Sequence, residues 1–262
     1  MTADDVTLVQ ERHGRVLVLR LNRPDARNSL TSGLIGEIQR AQVAAGKDDG
    51  VDAVILTGTD PAFCAGLDLA ELGGTGENLM AVPDPDIPPG HRWKPLSKPV
   101  IGAINGAAVT GGLELALGCD FLIASEKARF ADTHARFGLA PSWGMTARLP
   151  ALVGRAFALR MSLSGDFVDA QTALRVGLVT EVVAHDTLLD RALDVASTIA
   201  GNDRSGVRTL LASYRRAERH LLDPALVVEQ ETSDEWKKTF DPSVVADRRS
   251  SVIDRGRDQV RR

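Results

Sequence analysis

A pair of glycines marks the first segment whose residues suit chemistry, Asn105–Asp120 (NGAAVTGGLELALGCD). Gly111 and Gly112 lie where a predicted strand ends and a predicted helix begins, and glycine leaves backbone amides there uncovered. Amides at a helix N-terminus have no internal acceptor and carry the positive end of the helix dipole, so they can hold an anionic oxygen. Taken alone, the segment equally suits glycines that only let the helix pack closely on the strand.

A carboxylate follows these glycines. Glu114 lies three residues after Gly111, within the first turn of the predicted helix. At that position a carboxylate is either a favourable charge at the helix N-terminus or a base held beside an anion-binding site.

A second segment, PAFCAGLDL at 61–69, repeats the order of strand end, glycine and helix. The Leu67 amide can then face outward, and two such amides from separate strand ends would form an oxyanion hole with two donors. The position of Asp68 favours a residue that starts a helix over a catalytic residue.

Other catalytic motifs are not supported. The glycines at 73–76 lack a preceding strand and the last glycine of a dinucleotide fingerprint, and the sequence has no P-loop. Ser142 follows Pro141 and has alanine where a nucleophile elbow has glycine. The five histidines show no HExxH spacing, and Cys64 and Cys119 are the only cysteines. We therefore predict no metal site, no disulfide framework and no hydride or phosphoryl transfer.

The composition narrows the class of protein. The chain has 262 residues, of which 44% are hydrophobic and 25% charged, and a formal net charge of -4. That charge argues against a dedicated nucleic-acid binder. The first residues, MTADDVTLVQERHGR, contain no apolar signal core, and the sequence has no run long enough to span a membrane. With so few cysteines, we expect a protein of the reducing cytoplasm that binds neither nucleic acid nor membrane.

The elements that must position these residues are strands in the first two-thirds of the chain. Predicted strands are Val6–Gln10, Val16–Leu21, Val51–Leu56, Val100–Ile104 and Phe121–Ala124. The order strand, strand, helix, strand recurs, which predicts an α/β core. From Thr187 onward the pattern is helical and polar, and such helices pack either on this core or on another subunit.

The two glycine segments, in this order and at this separation, resemble those of the crotonase superfamily, the enoyl-CoA hydratase and isomerase family. The resemblance extends from about Val6 to Val183 and continues more weakly in the helical tail. It rests on the segments NRPDARNSL at 22–30, AFCAGLDL at 62–69, KPVIGAINGAAVTGGLELALGCDFLIAS at 98–125, ARFADTHARFGLAPSWGMTARLP at 128–150 and LSGDFVDAQTALRVGLVTEVV at 163–183. These segments are specific for the superfamily and much less so for the reaction.

The resemblance implies the fold and the ligand. The fold is an α/β, crotonase-like ββα spiral that forms an acyl-CoA-binding core over residues 1–195, with a C-terminal helical trimerisation region over residues 196–262. The implied assembly is a homotrimer or a dimer of trimers. The implied substrate is an acyl-CoA thioester, so that CoA is part of the substrate and no separate cofactor is expected.

The resemblance also assigns residues. It gives the Leu67 and Gly111 amides to an oxyanion hole for the thioester carbonyl. It places Ala26 and Arg27 near the adenine and phosphates of CoA, and Ala65 near the pantetheine. The implied CoA-binding residues are therefore Ala26, Arg27, Ala65, Gly66, Leu67, Asp68 and Leu69.

In a hydratase of this family two glutamates share one water, and here only the first position matches. Glu114 occupies it, whereas His134 occupies the second. Histidine, with a pKa near 6.5, can donate or accept a proton at neutral pH, so His134 either assists protonation or only forms a pocket wall while Glu114 acts alone. Trp93, Phe137 and Trp143 either line the acyl pocket or belong to the core.

We predict an enoyl-CoA hydratase. The same residues also suit an enoyl-CoA isomerase, another lyase or hydrolase of the superfamily, or a catalytically silent acyl-CoA-binding protein.

Overall fold

The computed structural model describes residues 6–80 and 86–260. The strands are β1 (Leu8–His13), β2 (Val16–Leu21), β3 (Ala53–Gly58), β4 (Ala62–Cys64), β5 (Val100–Ile104), β6 (Ala107–Val109), β7 (Phe121–Ser125), β8 (Arg129–Ala131), β9 (Val168–Asp169) and β10 (Glu181–Val183). The helices are α1 (Ser32–Lys47), α2 (Leu69–Gly73), α3 (Glu77–Met80), α4 (Gly111–Leu117), α5 (His134–Phe137), α6 (Met145–Val153), α7 (Arg155–Ser164), α8 (Ala170–Arg175), α9 (Leu188–Ala200), α10 (Arg204–Lys237) and α11 (Pro242–Val260).

The first two predicted strands form a hairpin, in which β1 pairs antiparallel with β2. Helix α1 follows, and its N-terminus is capped by the Thr31 hydroxyl, which accepts from the Leu34 amide at 3.2 Å. At the other end of α1 the buried Lys98 ammonium donates to the carbonyls of Ala45 and Asp48, both at 2.6 Å. These contacts satisfy backbone groups that a helix leaves unpaired at its two ends.

The core is a spiral of ββα turns. Three successive turns, β3–β4–α2, β5–β6–α4 and β7–β8–α5, each add one strand to a large sheet and one to a small sheet. The large sheet has the order β1-β2-β3-β5-β7-β10 and the small sheet the order β4-β6-β8-β9. Pairing between successive turns is parallel in both sheets. The predicted α/β spiral is confirmed.

Apolar side chains hold both faces of the large sheet. One face packs in the main core, which includes Leu56, Ile104 and Phe130. The opposite face packs against α9. Each fully buried Leu, Ile or Phe stabilises the fold by about 1.5–3 kcal/mol, so this two-sided burial fixes the strands that carry the site.

The last two helices return to the core. Val245 of α11 packs against Leu72 and Phe137 of the spiral. The expected division between residues 1–195 and 196–262 lies within α9, which packs on the large sheet; the division stays a prediction. Within the described ranges, every helix is too short or too polar to cross a membrane.

Candidate active site

A cavity of about 830 Å³ brings the predicted site residues together. It is lined by all of them: Ala26, Arg27, Ala65, Gly66, Leu67, Asp68, Leu69, Gly111, Glu114 and His134. Ala26 and His134, the first and last of these residues, are 108 positions apart in the chain.

The spiral explains this convergence. The segments with Leu67, Gly111 and His134 follow β4, β6 and β8, which are neighbouring parallel strands of the small sheet. The carboxyl ends of parallel strands lie at one edge of a sheet, so three equivalent loops open on the same space.

Two backbone amides at this edge have no acceptor. Neither Leu67 nor Gly111 donates its amide hydrogen to another group within residues 6–80 and 86–260. The two amides lie close together, because a Cβ built on Gly111 would lie 3.7 Å from the Leu67 nitrogen. Gly66, at φ +95°, makes this approach possible; a Cβ on it would lie 2.9 Å from the carbonyl oxygen of Val109. The arrangement leaves two donors for one anionic oxygen, and their role as an oxyanion hole stays a prediction.

The residue before Gly111 has a strained backbone. Thr110 adopts φ 53° and ψ -113°, a conformation that a residue with a side chain rarely adopts and that costs about 1–3 kcal/mol. The Thr110 amide donates to the Ala131 carbonyl at 2.8 Å. The Thr110 hydroxyl accepts from the Thr133 amide at 3.1 Å and lies 2.5 Å from the Thr133 hydroxyl. These bonds to the next turn of the spiral hold Thr110 in this conformation, and so fix the direction of the Gly111 amide.

The two glycines of the first segment serve different purposes. A Cβ on Gly112 would lie 2.1 Å from the carbonyl oxygen of Cys64, so this glycine allows helix α4 to pack on β4. A Cβ on Gly111 would instead lie 3.2 Å from the Trp143 ring and project toward the Leu67 amide. Close packing therefore accounts for Gly112, whereas Gly111 keeps open the space in front of the two amides.

Glu114 is buried beside this space, with 3% of its surface exposed. One carboxylate oxygen, Oε1, accepts the backbone amide of Trp143 at 2.9 Å. Burial raises the pKa of Glu114 to about 7, although the facing His134 opposes the shift. A carboxyl that titrates near neutrality can both take and return a proton, as a general base must.

His134 lies opposite Glu114. Its Nε2 is 3.8 Å from Oε2 of Glu114, and its Nδ1 is 2.7 Å from Oδ1 of Asp132. Burial alone would lower the pKa of His134, but the hydrogen bond and charge of Asp132, with the charge of Glu114, raise it above the usual value. The site thus places a base and a potential acid on either side of one gap.

Three further residues at the site were not predicted from the sequence. Asp132 holds the imidazole of His134. Glu229 of α10 accepts the amides of Gly144 at 2.6 Å and Thr146 at 2.5 Å, which fixes the segment that carries Trp143. The Arg92 guanidinium lies 4.0 Å above the centroid of the Trp143 ring. The position of Asp132 in the FADTH motif, two residues before His134, could have indicated its role. Glu229 is more than 80 positions from the amides that it binds, so no sequence pattern indicated it.

The Asp68 carboxylate is occupied by the protein itself. One oxygen caps α2 by accepting the amides of Ala70 and Glu71, which confirms the prediction that Asp68 starts a helix. The other oxygen accepts from the side chains of Arg23 and Ser29, both at 3.0 Å. Asp68 therefore shapes the loop that presents Leu67.

The cavity mouth is cationic. Arg27, Lys127 and Arg249 line it and form no ion pair with the residues that the structure describes. Phe137 and Trp143 also line the cavity, whereas Trp93 is a buried core residue outside the lining, with its ring against Gly118. Across the described chain, no three His, Cys, Asp or Glu side chains are grouped so as to hold a metal ion.

Comparisons with known proteins agree with this architecture. The family model for enoyl-CoA hydratase/isomerase matches residues 11–243. A probable peroxisomal enoyl-CoA hydratase 1 of Arabidopsis thaliana is 37% identical over 231 residues, which cover 87% of this chain and 86% of the relative. The crystal structure of an enoyl-CoA hydratase from Mycobacterium tuberculosis H37Rv superimposes with a TM-score of 0.82 at 52% identity, covering 89% of this chain and 100% of that one.

A structure described as a monofunctional enoyl CoA isomerase from M. smegmatis is also similar. It has a TM-score of 0.67 and 30% identity, and the match covers 81% of this chain and 93% of that one. The fold, the matched range and the identities together place this chain in the enoyl-CoA hydratase/isomerase family.

Proposed function

We propose that this protein is an enoyl-CoA hydratase, which adds water across the 2,3-double bond of an enoyl-CoA thioester. One observation carries the proposal: the unpaired amides of Leu67 and Gly111 share a cavity with the facing side chains of Glu114 and His134. Relatives named enoyl-CoA hydratase support the same reaction.

The thioester carbonyl oxygen accepts hydrogen bonds from the Leu67 and Gly111 amides. These bonds strengthen as the oxygen gains negative charge, and one such donor contributes about 3 kcal/mol to transition-state stabilisation. Glu114 takes a proton from water, and the resulting hydroxyl adds to the β-carbon while the electrons of the double bond move toward the thioester. His134 then donates a proton to the α-carbon, which completes the addition of one water.

The cavity suits the two ends of such a substrate. CoA carries several phosphate charges, and Arg27, Lys127 and Arg249 line the mouth without ion-pair partners among the described residues. Apolar side chains, including Phe137 and Trp143, offer a surface for the acyl group. Weaker binding of the CoA ester at high salt is the expected consequence.

Double-bond isomerisation is the second candidate. It requires a proton shuttle and the same oxyanion hole but no water, and the replacement of a second glutamate by His134 leaves Glu114 as the one carboxylate at the reacting gap among the described residues. The 30% identity to an enoyl CoA isomerase supports this alternative.

Products formed in oxygen-labelled water separate the candidates. A panel of 2-enoyl-CoA esters of varied chain length is incubated with the enzyme, and loss of the conjugated thioester absorbance is followed. Hydration places labelled oxygen on the β-carbon, whereas isomerisation leaves the product unlabelled. Binding of the esters without turnover would instead identify a silent acyl-CoA-binding protein.

Substitution of Gly111 tests the oxyanion hole. In Gly111→Ala the new methyl group would lie 3.7 Å from the Leu67 nitrogen, in the space for the thioester oxygen. We expect kcat to fall about 100-fold or more, the effect of losing one donor elsewhere. Gly46→Ala is the matched control, since its methyl group would meet only Leu96, at 3.9 Å. Retained turnover in a folded Gly111→Ala variant would contradict the proposed hole.

We also propose a homotrimer or a dimer of trimers, located in the cytoplasm. Helix α10 exposes apolar side chains at Leu210, Tyr214, Leu221 and Val228, and exposed apolar surface of this kind favours association. Light scattering coupled to size-exclusion chromatography measures the assembly directly, and a monomer at micromolar concentration would contradict the proposal.

A further inference from the structure

Asp132 and His134 form a buried pair at the end of β8. Asp132 is 2% exposed and His134 is 8% exposed. Oδ1 of Asp132 accepts two hydrogen bonds from the same residue, one from the His134 amide at 3.1 Å and one from Nδ1 of its ring at 2.7 Å. Asp132 thus fixes both the backbone and the ring of His134.

This pairing determines which ring nitrogen faces the reaction. A carboxylate has no hydrogen to donate, so the ring Nδ1 that contacts Asp132 must carry one. The other ring nitrogen, Nε2, faces Oε2 of Glu114 at 3.8 Å. The partner of one imidazole nitrogen sets the tautomer at the other. Here the free nitrogen is the one directed into the gap between Glu114 and the substrate.

The charges around the ring favour its protonated form. Asp132 at the end of β8, Glu114 of α4 and Glu229 of α10 all act on His134 as negative charges. The cations Arg92 and Arg148 interact with Glu114. Burial opposes the charged ring, and the nearby carboxylates outweigh it. The surroundings therefore favour the imidazolium more than water does, with Asp132 on one side of the ring and Glu114 on the other.

We infer that Asp132 is a positioning residue that holds His134 as a cationic proton donor, with Nε2–H directed at the substrate's α-carbon. The inference rests on the proposed hydratase function. In this protein the acid of the hydration is a charged imidazolium, so the family's second carboxyl is replaced by two side chains acting together. After the proton leaves, the ring is neutral and remains hydrogen-bonded through Nδ1–H, and the proton that Glu114 took from water passes from Oε2 to Nε2, 3.8 Å away, which restores both groups.

Asp132→Asn separates this role from a structural one. The asparagine oxygen can still accept from the His134 amide and Nδ1–H, whereas the negative charge is lost. We expect kcat to fall at least about tenfold with KM nearly unchanged, and the alkaline limb of the kcat profile to move to lower pH by about one unit. An unchanged kcat and an unchanged alkaline limb would overturn the inference.

A second background shows whether Asp132 acts through His134. His134→Glu restores the family's carboxyl and removes the ring Nδ1–H that Asp132 accepts. In that background we expect Asp132→Asn to change kcat less than about twofold. Equal losses in both backgrounds would mean that Asp132 serves the fold alone, and the inference would be wrong.

Titration of the His134 ring by NMR needs no turnover. A ring that is neutral at pH 7 in the wild-type protein would overturn the inference. Its protonation at that pH, with a lower pKa in Asp132→Asn, would support it. If the wild-type protein hydrates no enoyl-CoA ester and the ring still titrates as expected, the proposed function fails while the Asp132–His134 pair stands.

Discussion

Replacing Glu114 by glutamine should stabilise the protein at alkaline pH. Burial raises the pKa of this carboxyl from 4.5 to about 7, which means that the folded protein resists its ionisation. One pKa unit corresponds to 1.36 kcal/mol, so the shift costs the folded state about 3 kcal/mol once the carboxyl is ionised. Glutamine keeps an oxygen for the Trp143 amide and removes the ionisation.

The sign of the effect changes with pH in a defined way. Below about pH 4.5 the carboxyl is protonated in both the folded and unfolded states, and the cost is absent. Between 4.5 and about 7 the unfolded state ionises first, so the stability of the wild type falls as pH rises. Above about 7 the full cost remains. The advantage of Glu114→Gln should therefore grow from near zero at pH 4.5 to about 3 kcal/mol at pH 8.5.

Urea unfolding at pH 4.5, 6.5 and 8.5 measures this difference, with tryptophan fluorescence as the signal from the chain's three Trp residues. In thermal melts, about 3 kcal/mol corresponds to about 6–12 °C for a chain of this size. Glu126→Gln, at an exposed position, is the control and should show no such pH dependence. A Glu114→Gln advantage that does not change with pH, or a variant less stable at pH 8.5, would refute the reasoning.

Three other predictions follow from the same structure. The kcat of hydration should rise with pH through about 7 as Glu114 becomes the base, and fall at higher pH as His134 loses its proton; a single monotonic profile would contradict this pairing. Lys98→Met should lower the free energy of unfolding by about 2–4 kcal/mol while leaving kcat unchanged, because two carbonyls at the end of α1 lose their donor; urea titration measures it, and an unchanged midpoint would refute it. Glu229→Gln should lower kcat about tenfold, because the segment carrying Trp143 loses a charged acceptor and the hydrogen bond that holds Glu114 weakens; equal kcat values in steady-state assays would exclude this coupling.

Much of the fold could be predicted because local signals agree with it. The Asp68 helix start and the beginning of a helix at Gly111 both lie where the sequence predicts them. Each depends on residue types within a few positions, such as a carboxylate beside free amides. The recurrence of strand, strand and helix likewise predicts the α/β core, whereas the resemblance to the crotonase superfamily implies the spiral.

The contacts that complete the site could not be predicted in this way. Glu229 reaches the Gly144 amide from 85 residues along the chain, and no local pattern encodes such a contact. Trp93 is a core residue rather than a cavity residue because its ring packs on Gly118, a preference that composition cannot reveal. The segment from Gly73 to Gly90, rich in Gly, Pro and Asp and without a regular period, contains the short helix α3, and its residues 81–85 lie outside the described ranges.

The three equivalent loops after β4, β6 and β8 place their functional groups at regular intervals across the site. Neighbouring strands are about 4.8 Å apart, so groups on adjacent turns are offset by one such step. Two amides one step apart can both lie about 2.9 Å from a single oxygen, whereas a side chain on the third turn reaches atoms farther along the bound molecule. In the proposed mechanism Glu114 shares its turn with Gly111, whereas the proton donor His134 comes from the next turn. Exchange of the residues after β8 can therefore redirect the reaction while the thioester is still held in place.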